Sequence, residues 1–190
     1  FYTEVPAAYL LATLAVDTLF DLDKREVSEL SSEDVEKILK RMESIKVGDL
    51  ACGSGTLLTA SYSALHRLAT ELTYWHDLDV DLNEVGKKLI EEGIYGIDAL
   101  KYAAQVTAIN LALISPGNID KENTHTIYLG YIPDKGAWLG SLELLYNARK
   151  VGGILAWIEG GLEGVTKRVT IEGEEGEFKI PEKFDMIVMN

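Results

Sequence analysis

The segment IKVGDLACGSGTLLTASYSALHRLATELTYW (45–75) limits the fold more than any other. Residues 45–51 form a short β-type run that ends in the Gly-rich ACGSGT. An amphipathic helix begins near Thr56 and runs towards Trp75. A strand delivered by a tight bend into a helix is the opening unit of an α/β domain with a mostly parallel sheet.

The rest of the chain keeps this alternation. Residues 5–22 read as an apolar helix with Pro6 in the first turn and Asp17 as the main charged interruption. SSEDVEKILKRM follows as a second helix, with Ser31 or Ser32 as N-cap and Val35, Ile38, Leu39 and Met42 on one face. DVDLNEVGKKLIEEG is expected to form a helix capped near Asp81 and stopped at Gly93. IYGID (94–98) is a buried-strand candidate, and ALKYAAQVTAINLAL is a helix ended by Ser115-Pro116-Gly117. THTIYLGYI (124–132) is a third strand candidate, LGSLELLYNAR a short helix or turn, and GGILAWIEGG is ambiguous. VTKRVTI and EFKI alternate around Gly-Glu-Glu-Gly as a β-hairpin, and FDMIVMN (184–190) is a last, fully apolar strand.

Composition narrows the function classes. The chain of 190 residues carries a formal net charge of −13, unlike a self-sufficient nucleic-acid binder. If the partner is DNA, most of the basic surface lies in segments outside this sequence; the bland alternative is that the acid serves solubility. Cys52 is the one cysteine, so neither a disulfide framework nor a cysteine-based metal site is expected. His66, His76 and His125 lack ligand spacing, and no metal is expected. No apolar stretch reaches the roughly 20 residues of a membrane span, which makes a cytoplasmic protein the expectation. The chain begins at Phe1 and ends at Asn190 directly after an apolar run, and both ends read as cuts through a longer protein.

DLACGSGTLL carries the chemistry. Gly53 and Gly55 lack Cβ, so a nucleoside or amino-acid moiety can approach the backbone, and Asp49 offers a carboxylate beside the bend. Leu58 stands where a dinucleotide fingerprint needs its third glycine, and no Gly-Lys-Ser/Thr of a P-loop occurs. Asp98 closes the next strand, where an acid can accept both hydroxyls of a ribose or cap the helix that follows.

Four segments together resemble the γ-type N6-adenine DNA methyltransferases of restriction–modification systems, in that family's order. FYT (1–3) is similar to its N-terminal cofactor motif, with Glu4 where Pro is usual. DLACGSGTLL is similar to D-P-A-C-G-S-G-T-F-L, with Leu50 and Leu57 replacing Pro and Phe. YGIDALKYAAQVTAINLAL resembles the second-strand motif and its helix, including the Asn-Leu near the helix end. FDMIVMN resembles the strand leading into Asn-Pro-Pro-Tyr/Phe, of which Asn190 alone is present. Residues 132–183 match poorly, with Ser141 where an adenine-contacting Asp is common and the hairpin near 165–181 standing as an insertion.

The resemblance implies a Rossmann-like S-adenosylmethionine-dependent methyltransferase fold: an N-terminal helical segment over 1–44 and the cofactor-binding part over 45–190. It implies that Tyr2 and Thr3 close over the methionine end of S-adenosylmethionine. Asp49, Ala51, Gly53, Gly55 and Thr56 would line the methionine and ribose, and Asp98 with Ala99 would hold ribose and adenine. Asn190 would accept hydrogens from the target amino group, aiming its lone pair at the sulfonium methyl without a strong base. The flipped base would stack on an aromatic three residues past Asn190, so this chain alone is expected to bind cofactor without methylating. Tyr9, Tyr62, Tyr74, Trp75, Trp138 and Trp157 read as core or interface aromatics, and Cys52 as a packing residue. The implied partners are double-stranded DNA and restriction or specificity subunits. Methylation of RNA or of a protein glutamine, a non-catalytic assembly module, and a nicotinamide-dependent oxidoreductase are the competing readings.

Overall fold

A computed structural model describes residues 3–120, 123–126, 129–132, 136–139, 181 and 183–190. Four strands form one all-parallel sheet in the order β3-β2-β1-β6: β1 Val47–Asp49, β2 Ile94–Asp98, β3 Asn123–Thr126 and β6 Met186–Ile187. Val47 registers with Ile94 on one side and with Met186 on the other. After β1 the chain moves one way to β2 and β3, and β6 then returns to the opposite flank of β1. That reversal makes the carboxyl end of β1 a topological switch point, where open α/β sheets bind ligands.

The helices follow from capping and burial. α1, Val5–Leu19, has Pro6 in its first turn and buries Ala8, Ala12 and Val16. It stops three residues short of the expected 22, because Asp21 takes a left-handed conformation (φ 57°) and the chain turns Phe20 and Leu22 back into the core. α2, Ser32–Ser44, is capped by Ser31, whose side chain accepts the Asp34 N–H, and buries Val35, Ile38 and Met42. α3, Thr56–Trp75, supplies the centre of the core through Leu58, Leu65, Leu68 and Leu72, all essentially inaccessible. α4, Leu82–Lys88, is capped by Asp81 and closes in a π-helical turn, Leu89–Gly93. α5, Lys101–Ile114, buries Ala103, Ala104, Thr107, Ala108 and Leu111 and leaves Tyr102, Val106, Ile109 and Leu113 exposed. No helix among the described residues is long and apolar enough to cross a membrane.

Two strand expectations need correction. The candidate 124–132 is two strands in two sheets. The ladder with β2 ends at Thr126, opposite the last residue of β2, and β4, Leu129–Ile132, pairs antiparallel with β5, Gly136–Leu139. The final run 184–190 is a strand only at Met186–Ile187, which pair with Val47 and Gly48 of β1. Its apolar side chains alternate: Ile187 and Met189 are exposed, whereas Met186 and Val188 are buried. The hairpin near 165–181, LGSLELLYNAR and GGILAWIEGG fall outside the described residues, apart from Leu139 and Pro181.

Candidate functional site

The bend after β1 is built by its two glycines. Gly53 (φ 54°) and Gly55 (φ 79°) both sit in the left-handed region that side chains disfavour. They differ in their surroundings. A Cβ on Gly55 would lie 2.8 Å from Thr107 Cγ2, whereas a Cβ on Gly53 would meet nothing within 4 Å. Gly55 therefore lets α5 pack against the bend, and Gly53 leaves open space above it.

That space is a cleft of about 340 Å³ at the carboxyl end of β1, within the usual range for small-molecule sites. Thr3, Asp49, Ala51, Gly53, Thr56 and Asn190 line it together with Cys52, Ser54 and Leu57. Residues from the start, middle and end of the chain thus meet in one cavity. At its rim Asn190 Nδ2 donates to Thr3 Oγ1 (2.9 Å), joining the N-terminal segment to the tip of β6. A larger groove, about 570 Å³, lies between α2 and the His76–Leu78 turn. It is away from the strand ends and has charged residues of α2 along its wall, with no buried carboxylate converging on it, so the cleft beside Asp49 is the candidate.

Asp49 is 2% exposed, and its Oδ1 accepts the Ala51 N–H (3.0 Å). Among the described residues no donor reaches its Oδ2. Burial pushes its pKa from 3.8 up to about 6; the Ala51 N–H opposes the rise, and the charge of Asp98 adds to it. Such a carboxylate is ionised at neutral pH, incompletely satisfied, and suited to a cationic ligand. Burial also pushes the Cys52 thiol up to about 12, against the hydrogen bond from Thr107. That leaves it unreactive.

Asp98 sits at the second bend, where its two oxygens tie the bends together. Oδ2 accepts the Gly53 N–H (2.9 Å) and Oδ1 accepts the Leu100 N–H (2.8 Å). Asp98 is not the helix cap: Leu100 holds that position, with no side-chain cap. Ala99 follows, half-buried, between β2 and α5. Asp98, Ala99 and Gly55 do not line the cleft; Asp98 reaches it through Gly53. Tyr2 and Ser141 fall outside the described residues.

Sequence reasoning gave Thr107 no role and marked Asn110 only as the Asn of the Asn-Leu near the end of the second-strand helix. Thr107 Oγ1 donates to Gly53 O (3.0 Å), and Asn110 Nδ2 donates to Ser54 O (2.8 Å), both from α5 to the bend. The signal available was a pair of polar residues three apart, on the face of α5 that also carries Ala103, Ala104 and Leu111. His66 Nε2 and His76 Nε2 lie 3.1 and 2.8 Å from the carbonyls of Leu82 and Val27, each engaged with the backbone. Tyr62 is buried and stacks on His66, while Tyr74 and Trp75 form an exposed edge-to-face pair at the far end of α3 from the cleft.

A search of curated proteins gives no match. Residues 24–126 match the family described as MmeI, DNA-methyltransferase domain. The matched stretch encloses β1, the glycine bend, Asp98 and β3, and it is more than half of the chain. By sequence match and by a parallel sheet compatible with a methyltransferase fold, this chain belongs to the MmeI DNA-methyltransferase domain family.

Proposed function

We propose that the chain is the cofactor-binding part of an enzyme that transfers a methyl group from S-adenosylmethionine to the N6 amino group of adenine in DNA, within a restriction–modification system. The observation that carries this is the meeting of Asp49, the Gly53 bend and Asn190 in one cleft at the switch point of a parallel sheet.

The residues present suit the cofactor. The unpartnered oxygen of buried Asp49 fits an ammonium or sulfonium, and the open space above Gly53 admits the body of a ligand. In this reading Asp49, Ala51 and Thr56 hold the methionine and ribose. Asp98 and Ala99 serve ribose and adenine from the second bend, and Tyr2 and Thr3 close the methionine end. When bound, S-adenosylmethionine supplies an electrophilic methyl.

Asn190 acts on the other substrate. The lone pair of an aromatic amine is delocalised into the ring. The Asn190 side-chain oxygen accepts one amino hydrogen, which favours the localised, nucleophilic form. Its Nδ2 is occupied by Thr3, which leaves that oxygen as the atom offered to the base. The contribution is positioning and hydrogen bonding, with no strong base required. With a net charge of −13, the chain needs basic surface from elsewhere in the enzyme to hold duplex DNA.

Calorimetry with S-adenosylhomocysteine tests the reading. Micromolar binding that is weakened tenfold or more by Asp98→Ala, with no response to NAD, is the expected result. Unchanged affinity in Asp98→Ala would overturn it. Transfer of labelled methyl to adenine, rather than cytosine, in DNA by the full-length enzyme tests the acceptor.

A further inference from the structure

The residues that open the bend to a ligand are also those that restrain it least. Gly53 and Gly55 bracket Ser54, and both have positive φ, so each of the two peptide groups flanking Ser54 lacks Cβ restraint on its glycine side. Helix α5 supplies the missing restraint. Thr107 holds Gly53 O and Asn110 holds Ser54 O, at 3.0 and 2.8 Å, two consecutive carbonyls gripped from one helix face.

A trans peptide points its carbonyl and its N–H in opposite directions. Fixing Gly53 O towards α5 therefore fixes Ser54 N–H away from it. Fixing Ser54 O does the same for Gly55 N–H, which donates to Cys52 O (2.7 Å) and closes the turn. Ser54 lines the cleft, and its N–H has no acceptor among the described residues. Thr107 is itself wholly buried.

We propose that Thr107 and Asn110 are positioning residues: they hold the Gly53–Gly55 backbone in its ligand-ready orientation, so that affinity at the cleft is set in part from α5. This rests on the reading that S-adenosylmethionine binds at this bend. Without the two donors, the Ser54–Gly55 peptide is held only by the bond from Gly55 N–H to Cys52 O and the Gly53–Ser54 peptide loses its carbonyl anchor, so a smaller fraction of molecules is competent to bind.

The test measures S-adenosylhomocysteine affinity by calorimetry, melting temperature, and amide hydrogen exchange at residues 53–56. Thr107→Val keeps the side-chain shape and removes the donor, and should weaken binding about 5-fold, the scale of one hydrogen bond. Thr107→Ser keeps the donor and should bind within about twofold of the wild type. Asn110→Ala should weaken binding by a similar ~5-fold, and the Thr107→Val/Asn110→Ala pair by about 25-fold or more. Exchange at Ser54 and Gly55 should quicken in Thr107→Val, with the amides of mid-α3 unchanged. Wild-type binding with both single variants within twofold of it overturns the inference alone. So does an affinity loss in Thr107→Val that follows a global loss of stability and that Thr107→Ser does not restore. If Thr107→Val does not fold, Asn110→Ala, at a partly exposed position, decides the matter. Absence of wild-type binding overturns the cofactor reading and the inference with it.

Discussion

Alanine at each of the two glycines of the bend should cost very different amounts, although both have positive φ. Holding a Cβ in the left-handed region costs about 1 kcal/mol, and Gly53→Ala incurs little else, since its methyl meets no protein atom within 4 Å. Gly55→Ala carries the same conformational cost plus a collision with Thr107, whose Cγ2, Oγ1 and Cβ would lie 2.8, 3.0 and 3.1 Å away. Thr107 cannot swing aside without releasing Gly53 O. Overpacking of this kind costs about 2 kcal/mol more, for a total near 3. In a chain of this size each kcal/mol moves the melting temperature by roughly 3 °C, so shifts of about 3 and about 9 °C are expected. Thermal unfolding followed by circular dichroism reads both. A double-mutant cycle of Gly55→Ala with Thr107→Ala should show a favourable coupling of about 1–2 kcal/mol, because the second change removes part of the obstacle. The order should invert for ligand affinity relative to stability: the Gly53→Ala methyl projects into the cleft and should weaken S-adenosylhomocysteine binding more than its small stability cost suggests. Equal melting shifts for the two variants, or a coupling of zero, would refute the distinction drawn between a glycine that serves packing and one that serves access.

Other outcomes follow from the two acids. Because burial raises the pKa of Asp49 to about 6, the folded protein holds an extra proton between pH 4 and 6. Stability should therefore fall as pH rises through that window, by roughly 3 kcal/mol in total, with the full penalty present above it. Asp49→Asn should remove this slope and raise the urea midpoint at pH 7.5 while weakening cofactor binding; a midpoint unchanged at pH 7.5 and a retained slope would count against it. In the wild type, cofactor affinity should decline up to tenfold per pH unit below 6 as Asp49 loses its charge, and a flat calorimetric profile from pH 7 to 5 would exclude that role. Asp98→Asn leaves one acceptor for two backbone donors, Gly53 N–H and Leu100 N–H, and should cost about 1–3 kcal/mol by chemical denaturation together with ligand affinity.

Local chemistry made much of this architecture legible. Asp81 and Ser31 cap their helices as their side-chain types predict, Gly55 sets the start of α3, and Asp49 and Asp98 fall at the ends of adjacent parallel strands. What lay beyond reach was set by contacts distant in sequence. The hydrogen bonds from Thr107 and Asn110 span 54 and 56 residues, and a polar side chain inside a helix carries no local mark of what it will touch. The raised pKa of Asp49 depends on how deeply packing buries it. The extent of β6 is set by its pairing with Val47 and Gly48, distant in sequence. The left-handed Asp21 that ends α1 early belongs to a turn whose payoff is burial of Phe20 and Leu22, which hydrophobic periodicity alone does not distinguish from another helical turn.

The placement of β6 has a consequence for assembly. β1, β2 and β3, with the helices α3 to α5 between them, are contiguous in sequence and can collapse soon after synthesis, and they already contain Asp49, the glycines and Asp98. The hydrogen bond from Lys46 N–H to Asp185 Oδ2 bridges 139 residues, and the pairing of Val47 with Met186 spans the same distance. Loops of that length close slowly and late. On the proposed reading, the nascent chain should thus acquire the Asp49 and glycine-bend side of the cleft well before Asn190 arrives, and S-adenosylmethionine captured at that stage would favour docking of β6.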